Sequence, residues 1–183
     1  MSIYKKLQNL FEQYQTQAKQ HTNKGPLVVH DTQWPSPCEL TDTLVDGKVQ
    51  WQAVEQKPQR TMENLATALD LPFGSAISEY YGSFYADNIT VTSPWGKLVL
   101  LQAWSDTDYD QLQQNITGHI LMKQKLKQDE TVFIALTEQD DLLITIENTT
   151  GFVWLEYVGK KPHEKIANSI EAFLEQVEAG FNA

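Results

Sequence analysis

Three apolar segments in the C-terminal half of the chain follow one another with very short polar connections. The segments cover residues 131–136, 142–147 and 151–157, and they are rich in β-branched and aromatic residues. The first connection contains Glu138-Gln139-Asp140-Asp141, and the second is Asn148-Thr149-Thr150. Connections this short join antiparallel strands in hairpins. The sequence therefore predicts an antiparallel meander, which limits the fold to classes that contain such a sheet.

A second hairpin is predicted over residues 88–104. Ile89-Thr90-Val91 predicts one strand, and Ser93-Pro94-Trp95-Gly96 places proline and glycine in turn positions. The following residues 98–104 form a nearly continuous apolar run. Such a run is typical of a central strand that is covered on both faces. A further short strand is predicted at residues 49–54.

Apolar residues at helical spacing predict helices in much of the remaining chain. The expected helices are residues 2–20 with Ser2 as N-cap, 61–69 with Thr61 as N-cap, 72–85, a long helix that begins at Ser105 and ends in lysines, and a last helix that starts at Pro162. The inward-facing residues expected in the second and last of these are Leu65, Ala68, Leu69, Ile166, Ile170, Phe173, Leu174 and Val177.

The order of these elements indicates the fold class. Strands follow strands in hairpins, so the chain is predicted to be α+β, with a mostly antiparallel mixed sheet flanked by helices. No linker, repeat or low-complexity stretch divides the sequence. We therefore expect a single domain that spans residues 1–183.

Charge is distributed unevenly along the chain, whose formal net charge is −10. Residues 31–110 hold twelve acidic and four basic residues, a balance of −8. Such a section repels phosphate backbones, so we expect no direct binding to nucleic acid. It attracts basic surfaces and speeds encounter with them. The alternative interpretation is that the negative charge only keeps the protein in solution.

The residues that usually carry chemistry are sparse. No two of the four histidines have helical metal-ligand spacing, and Cys38 is the only cysteine. Phosphate-binding and hydrolase motifs are also absent from the sequence. We therefore predict no enzyme activity, cofactor, metal or small-molecule substrate, and we interpret His119 as a packed histidine rather than a general base. Because no signal-type or membrane-spanning stretch is found, the expected compartment is the cytoplasm.

Several short motifs, in order along nearly the whole chain, resemble the Syd family of SecY-interacting proteins from gamma-proteobacteria. The motifs are Trp34-Pro35-Ser36-Pro37-Cys38, Trp51, the segment 98–105 ending in Gln102-Ala103-Trp104-Ser105, Gln114-Asn115-Ile116-Thr117-Gly118-His119, and Phe133-Ile134-Ala135. The resemblance implies an α+β fold of the SUKH type. It also implies a cytoplasmic protein loosely held at the inner face of the inner membrane through SecY.

In that family an electronegative groove meets basic cytoplasmic loops of SecY, and the protein sequesters uncomplexed SecY or restrains the translocase. Membrane contact would then be indirect, through SecY. The candidate acidic face in this chain consists of Glu79, Asp87, Trp104, Asp106, Asp108 and Asp110. A simpler interpretation of the last three is that they complement a helix N-terminus. A different function, neutralisation of a toxin by an immunity protein, is also compatible with an acidic SUKH domain.

Overall fold

The computed structural model describes residues 1–182, which form five helices and twelve strands. The helices are α1 Ile3–Thr22, α2 Glu63–Leu69, α3 Ser75–Gly82, α4 Asp106–Lys125 and α5 Ile170–Leu174. The strands are β1 Leu27–Val29, β2 Glu39–Val45, β3 Lys48–Trp51, β4 Val54–Glu55, β5 Phe84–Tyr85, β6 Ile89–Ser93, β7 Gly96–Leu100, β8 Thr131–Leu136, β9 Leu142–Glu147, β10 Val153–Tyr157, β11 Glu164–Ala167 and β12 Glu178–Ala179.

A seven-stranded antiparallel sheet is the centre of the fold. Its strand order is β11-β10-β9-β8-β7-β6-β12. The predicted meander forms β8, β9 and β10, with Ile144 opposite both Ala135 and Leu155. The predicted hairpin forms β6 and β7 around the expected turn, and β7 lies between β6 and β8. Because both hairpins and the central position of β7 are observed, the α+β prediction is confirmed.

Helices cover the sheet and complete the hydrophobic core. The long helix α4 packs against β8, while α1 packs against α3, α5 and β12. Both long helices begin as predicted, because Ser2 accepts a hydrogen bond from the Lys5 N–H and Ser105 accepts one from the Asp108 N–H. The core joins apolar residues from α1, α3 and the sheet, including Leu7, Ile77 and Ile144.

The last predicted helix is wrong at its start. Residues after Pro162 form strand β11, which pairs with β10 and extends the sheet, and only Ile170–Leu174 is helical. Ser169 begins that helix by accepting a hydrogen bond from the Ala172 N–H. Phe173 and Leu174 are buried as predicted, whereas Ile166 is only half-buried in the strand. Pairing with an open sheet edge therefore prevails over local helical spacing.

The two predicted helices between residues 61 and 85 are shorter than expected. Met62, not Thr61, is the N-cap of α2, and Ala68 is exposed rather than inward. The second helix ends at Gly82, and Phe84 and Tyr85 pair with β4. A side chain at Gly82 would come within 1.9 Å of the Arg60 carbonyl oxygen, so glycine permits this close approach of two backbone segments.

Two strands before residue 48 were not predicted from the sequence. β1 and β2 flank β3 in a separate three-stranded antiparallel sheet, and the predicted strand at 49–54 is divided between β3 and β4. This small sheet places Trp51 at the end of β3, beside α1.

Candidate functional site

The beginning of helix α4 organises three of the acidic candidates. Asp106 and Asp108 lie in the first turn, where negative charge is favourable, and Asp110 follows two residues after Asp108. The Asp108 carboxylate accepts a hydrogen bond from the Trp104 N–H at 2.8 Å. Together with the Ser105 cap, this contact satisfies backbone donors just before and inside the helix. Asp108 therefore has a structural role as well as a place on the surface.

Arg60 joins the other two carboxylates of this turn. Its guanidinium donates to Asp106 and to Asp110, each at 2.6 Å, and it lies 4.6 Å from the centre of the Tyr109 ring. Arg60 is the only arginine in the chain. A hydrogen bond from the Tyr85 hydroxyl and the Arg60 charge lower the pKa of Asp106. Both aspartates remain 72% and 63% exposed, so they stay available to a partner.

Glu79 has a different partner from the other acidic candidates. Its carboxylate accepts a hydrogen bond from the Tyr4 N–H at 2.9 Å and so caps the first turn of α1. Tyr4 in turn stacks on Phe84, with ring centres 4.8 Å apart. The structure therefore gives Glu79 a role in joining α1 to α3.

Trp104 precedes the acidic first turn of α4 and contacts a second tryptophan, Trp51. Its half-buried ring meets the Trp51 ring edge to face, with centres 6.1 Å apart. Its carbonyl oxygen accepts a hydrogen bond from the Ser36 hydroxyl, and the Cys38 thiol lies 3.9 Å away. Ser36 and Cys38 of the Trp-Pro-Ser-Pro-Cys motif thus help to fix the position of the Trp104 backbone.

Asp87 lines a cavity of about 280 Å³ that was not predicted from the sequence. The cavity is lined by Tyr14, Thr22, Gly25, Pro26, Leu27, Trp51, Asp87, Phe181 and Asn182. Three of these side chains are aromatic, and Tyr14 packs beside both other rings. Its ring centre lies 6.2 Å from that of Trp51 and 5.2 Å from that of Phe181. We call this cavity the aromatic pocket.

Burial is the main cause of an elevated pKa at Asp87, and the nearby Asp108 charge raises it further. Burial also raises the pKa of Tyr14, and the Asp87 charge adds to this effect. Asp87 therefore lines the aromatic pocket and lies near enough to Asp108 for the two charges to repel. We call Asp87, Trp104, Asp106, Asp108 and Asp110 the acidic surface.

His119 lies on the buried face of α4, in a polar cluster between this helix and the sheet. Its Nε2 atom is 2.9 Å from the Thr131 hydroxyl, which itself donates to Glu156. The Thr131 proton is thus used, so His119 must donate from Nε2. Glu156 also accepts hydrogen bonds from Lys123 and Thr145. The packed position predicted for His119 is confirmed, but the ion pair beside it was not foreseen.

Other features bear on the chemistry of the chain. Within residues 1–182, no three His, Cys, Asp or Glu side chains come together as metal ligands could. Burial raises the pKa of the Cys38 thiol to about 12, which leaves it protonated and weakly nucleophilic at neutral pH. None of the helices within the described part of the chain is long and apolar enough to cross a membrane.

The family model and the curated relatives that match this chain agree on one family. The family model for Syd protein (SUKH-2) matches residues 4–179. The chain is 49% identical over 178 residues to Protein Syd of Pseudoalteromonas translucida, which covers 97% of this chain and 99% of that protein. It is 37% identical over 179 residues to Protein Syd of Pseudoalteromonas atlantica, with coverage of 97% and 96%. Protein Syd of Colwellia psychrerythraea is 39% identical over 178 residues, with coverage of 92% and 88%.

Proposed function

The chain belongs to the Syd protein family (SUKH-2), and from this membership we propose that it binds the SecY subunit of the protein translocase. The partner surface would be the basic cytoplasmic loops of SecY, and the binding surface of this chain would be the acidic surface. Binding would sequester uncomplexed SecY or restrain translocation. The protein would then work at the cytoplasmic face of the inner membrane and reach that membrane through SecY.

The observation that carries this proposal is the charge of the acidic surface. Two of its four carboxylates, Asp106 and Asp110, bind the Arg60 guanidinium, so the four carboxylates and this one cation leave a local balance of −3. Cytoplasmic loops of membrane proteins carry an excess of Lys and Arg, so the charges are complementary. Complementary charge mainly increases the association rate and the specificity of a complex.

Affinity needs apolar contact in addition to charge. Trp104 is half-buried beside the carboxylates, and its backbone is fixed by Asp108 and Ser36. A rigid, amphipathic aromatic residue within a charged surface is typical of residues that dominate binding energy. Trp104 would therefore supply the apolar contact, while the surrounding aspartates orient the basic loop.

Co-purification with detergent-solubilised SecY tests this function. We expect the wild-type protein to retain SecY at about 0.05 M salt and to lose much of it at about 0.5 M, because salt screens exposed charges. The double variant Asp106→Lys/Asp110→Lys should lose SecY already at low salt. The matched control is Asp140→Lys/Asp141→Lys, which makes the same charge change in the exposed β8–β9 connection.

Thermal unfolding of both double variants must show that they remain folded. If the wild-type protein retained no SecY at low salt, the proposed function would be wrong. If both double variants retained SecY equally, the function could stand but the acidic surface would not be its binding site.

A further inference from the structure

The aromatic pocket brings together residues from distant parts of the chain. Tyr14 comes from α1, Trp51 from the end of β3, Asp87 from the connection before β6, and Phe181 from the segment after β12. The Trp51 side chain is buried, whereas the side chains of Tyr14 and Phe181 are half-buried. Gly25 and Pro26 are buried beside them, and Leu27 and Asn182 are exposed at the margin. The pocket is therefore a preformed, partly open cavity on the protein surface.

The carboxylate in this pocket has no cation as a partner. Among residues 1–182, none of the ion pairs includes Asp87. Its Oδ1 atom accepts one hydrogen bond, from the Asn88 N–H at 2.8 Å. None of the described residues that line the pocket is basic. Burial and the Asp108 charge both raise the pKa of Asp87, because both disfavour its ionised form. A positive charge bound beside Asp87 would therefore stabilise the carboxylate.

The aromatic rings favour the same kind of occupant. Electron-rich faces of Trp, Tyr and Phe attract cations, and pockets built from several such rings are a known means of binding alkylated ammonium groups. The apolar walls also suit the methylene stem of a long basic side chain. A cavity of about 280 Å³ is large enough for one such side chain.

From this geometry we propose that the aromatic pocket receives one basic side chain of the bound partner, with its cationic head group against Asp87 and its stem between Tyr14, Trp51 and Phe181. The inference rests on the proposed function, because it adds an anchoring position to the SecY contact at the acidic surface. The edge-to-face contact of Trp51 with Trp104 places the pocket directly beside that surface. A loop lying across Asp106 and Asp110 would then insert one lysine or arginine into the aromatic pocket.

Titration with small probes tests the pocket without the partner. The probes are N-acetyl-L-arginine amide and N-acetyl-L-lysine amide, with the uncharged N-acetyl-L-citrulline amide for comparison. The readout is the indole N–H signal of Trp51 in two-dimensional NMR. We expect saturable shifts with a cationic amide and none with the citrulline amide. Stronger binding of one cationic amide would identify the preferred head group.

Two pocket variants and one control sharpen the test. Asp87→Asn keeps the acceptor for the Asn88 N–H, so we expect it to fold and to bind the cationic amides roughly tenfold more weakly. Phe181→Ala should weaken them a few fold, since it removes one ring but leaves the backbone bond to Gln17. Asp140→Asn, which removes one exposed charge elsewhere, should bind like the wild-type protein.

The pocket assignment is overturned if neither cationic amide shifts Trp51 saturably, if citrulline amide binds equally well, or if folded Asp87→Asn binds like the wild-type protein. It is also overturned if Asp87→Asn retains detergent-solubilised SecY as well as the wild-type protein does. That last result would leave the proposed function intact. Failure of the wild-type protein to retain SecY would instead contradict the function, and the amide titration would still decide what the pocket binds.

Discussion

Lys123 and Glu156 form an ion pair that is closed off from solvent, with Nζ 2.8 Å from Oε1 and both side chains 0% exposed. The pair joins α4 to β10 across the core. Lys123 also donates to the Lys160 carbonyl oxygen, and Glu156 accepts from Thr131 and Thr145. The Lys123 ammonium and the Glu156 carboxylate therefore each have several hydrogen-bond partners, which is the condition under which a buried ion pair is tolerated.

Removal of one partner should be costly. We expect Lys123→Met to lower the free energy of unfolding by about 3–5 kcal/mol, because the Glu156 charge remains buried without its cation. Equilibrium unfolding in urea measures the change. Lys125→Met, two residues along on the exposed side of α4, is the matched control and should change stability little. Equal stabilities for the two variants would show that the buried pair does not matter for folding.

The pH dependence of stability should report His119. Burial lowers the pKa of His119 below its usual 6.5, so the folded protein holds this ring neutral. The unfolded chain takes up a proton near pH 6.5, and stability is therefore present above that pH and is lost as the pH falls through the lower folded value. We expect His119→Gln to flatten the fall in unfolding free energy from pH 7 towards acid. An unchanged slope in folded His119→Gln would contradict this role of His119.

Glu79 should matter for stability and not for binding. Since its carboxylate caps the Tyr4 N–H, we expect Glu79→Ala to cost about 1 kcal/mol of unfolding free energy. Glu12→Ala, at an exposed position of α1, is the control and should cost less. SecY retention by the folded Glu79→Ala protein should equal that of the wild type. A selective loss of SecY in this variant would return Glu79 to the binding surface.

Arg60 should act against the acidic surface that it partly neutralises. In Arg60→Gln, Asp106 and Asp110 lose their cation, so we expect SecY to bind roughly two- to fivefold more tightly at low salt. Lys97→Gln removes one exposed positive charge elsewhere in the acidic section and should have a smaller effect. Fluorescence titration measures the affinity of the wild type and of each variant for SecY. Weaker binding by a folded Arg60→Gln protein would mean that the guanidinium itself contacts the partner.

Much of the fold could be predicted because its signals are local. The meander and the hairpin follow from turn residues between apolar segments, and Ser2 and Ser105 mark helix starts within a few residues. The segment after Pro162 was mispredicted because its inward residues satisfy helical spacing, while the pairing of β11 with β10 depends on an edge formed elsewhere in the chain.

The site was less predictable because its contacts join distant residues. The acidic turn of α4 could be found from sequence, but Glu79 caps a backbone N–H that is 75 residues away. Arg60 is 46 residues from Asp106, and nothing in the local pattern assigns it to that carboxylate. The aromatic pocket draws on four separate segments, so only the folded chain brings Asp87 to Tyr14 and Trp51.

The most direct test is the affinity of the protein for SecY in nanodiscs, measured against ionic strength for three proteins. These are the wild type, Asp106→Asn/Asp110→Asn, and the control Asp140→Asn/Asp141→Asn. We expect the wild type and the control to bind alike and to weaken with salt, and the first double variant to bind roughly tenfold more weakly at low salt with a shallower salt dependence. The same affinity and the same salt dependence in all three would contradict binding through the acidic surface.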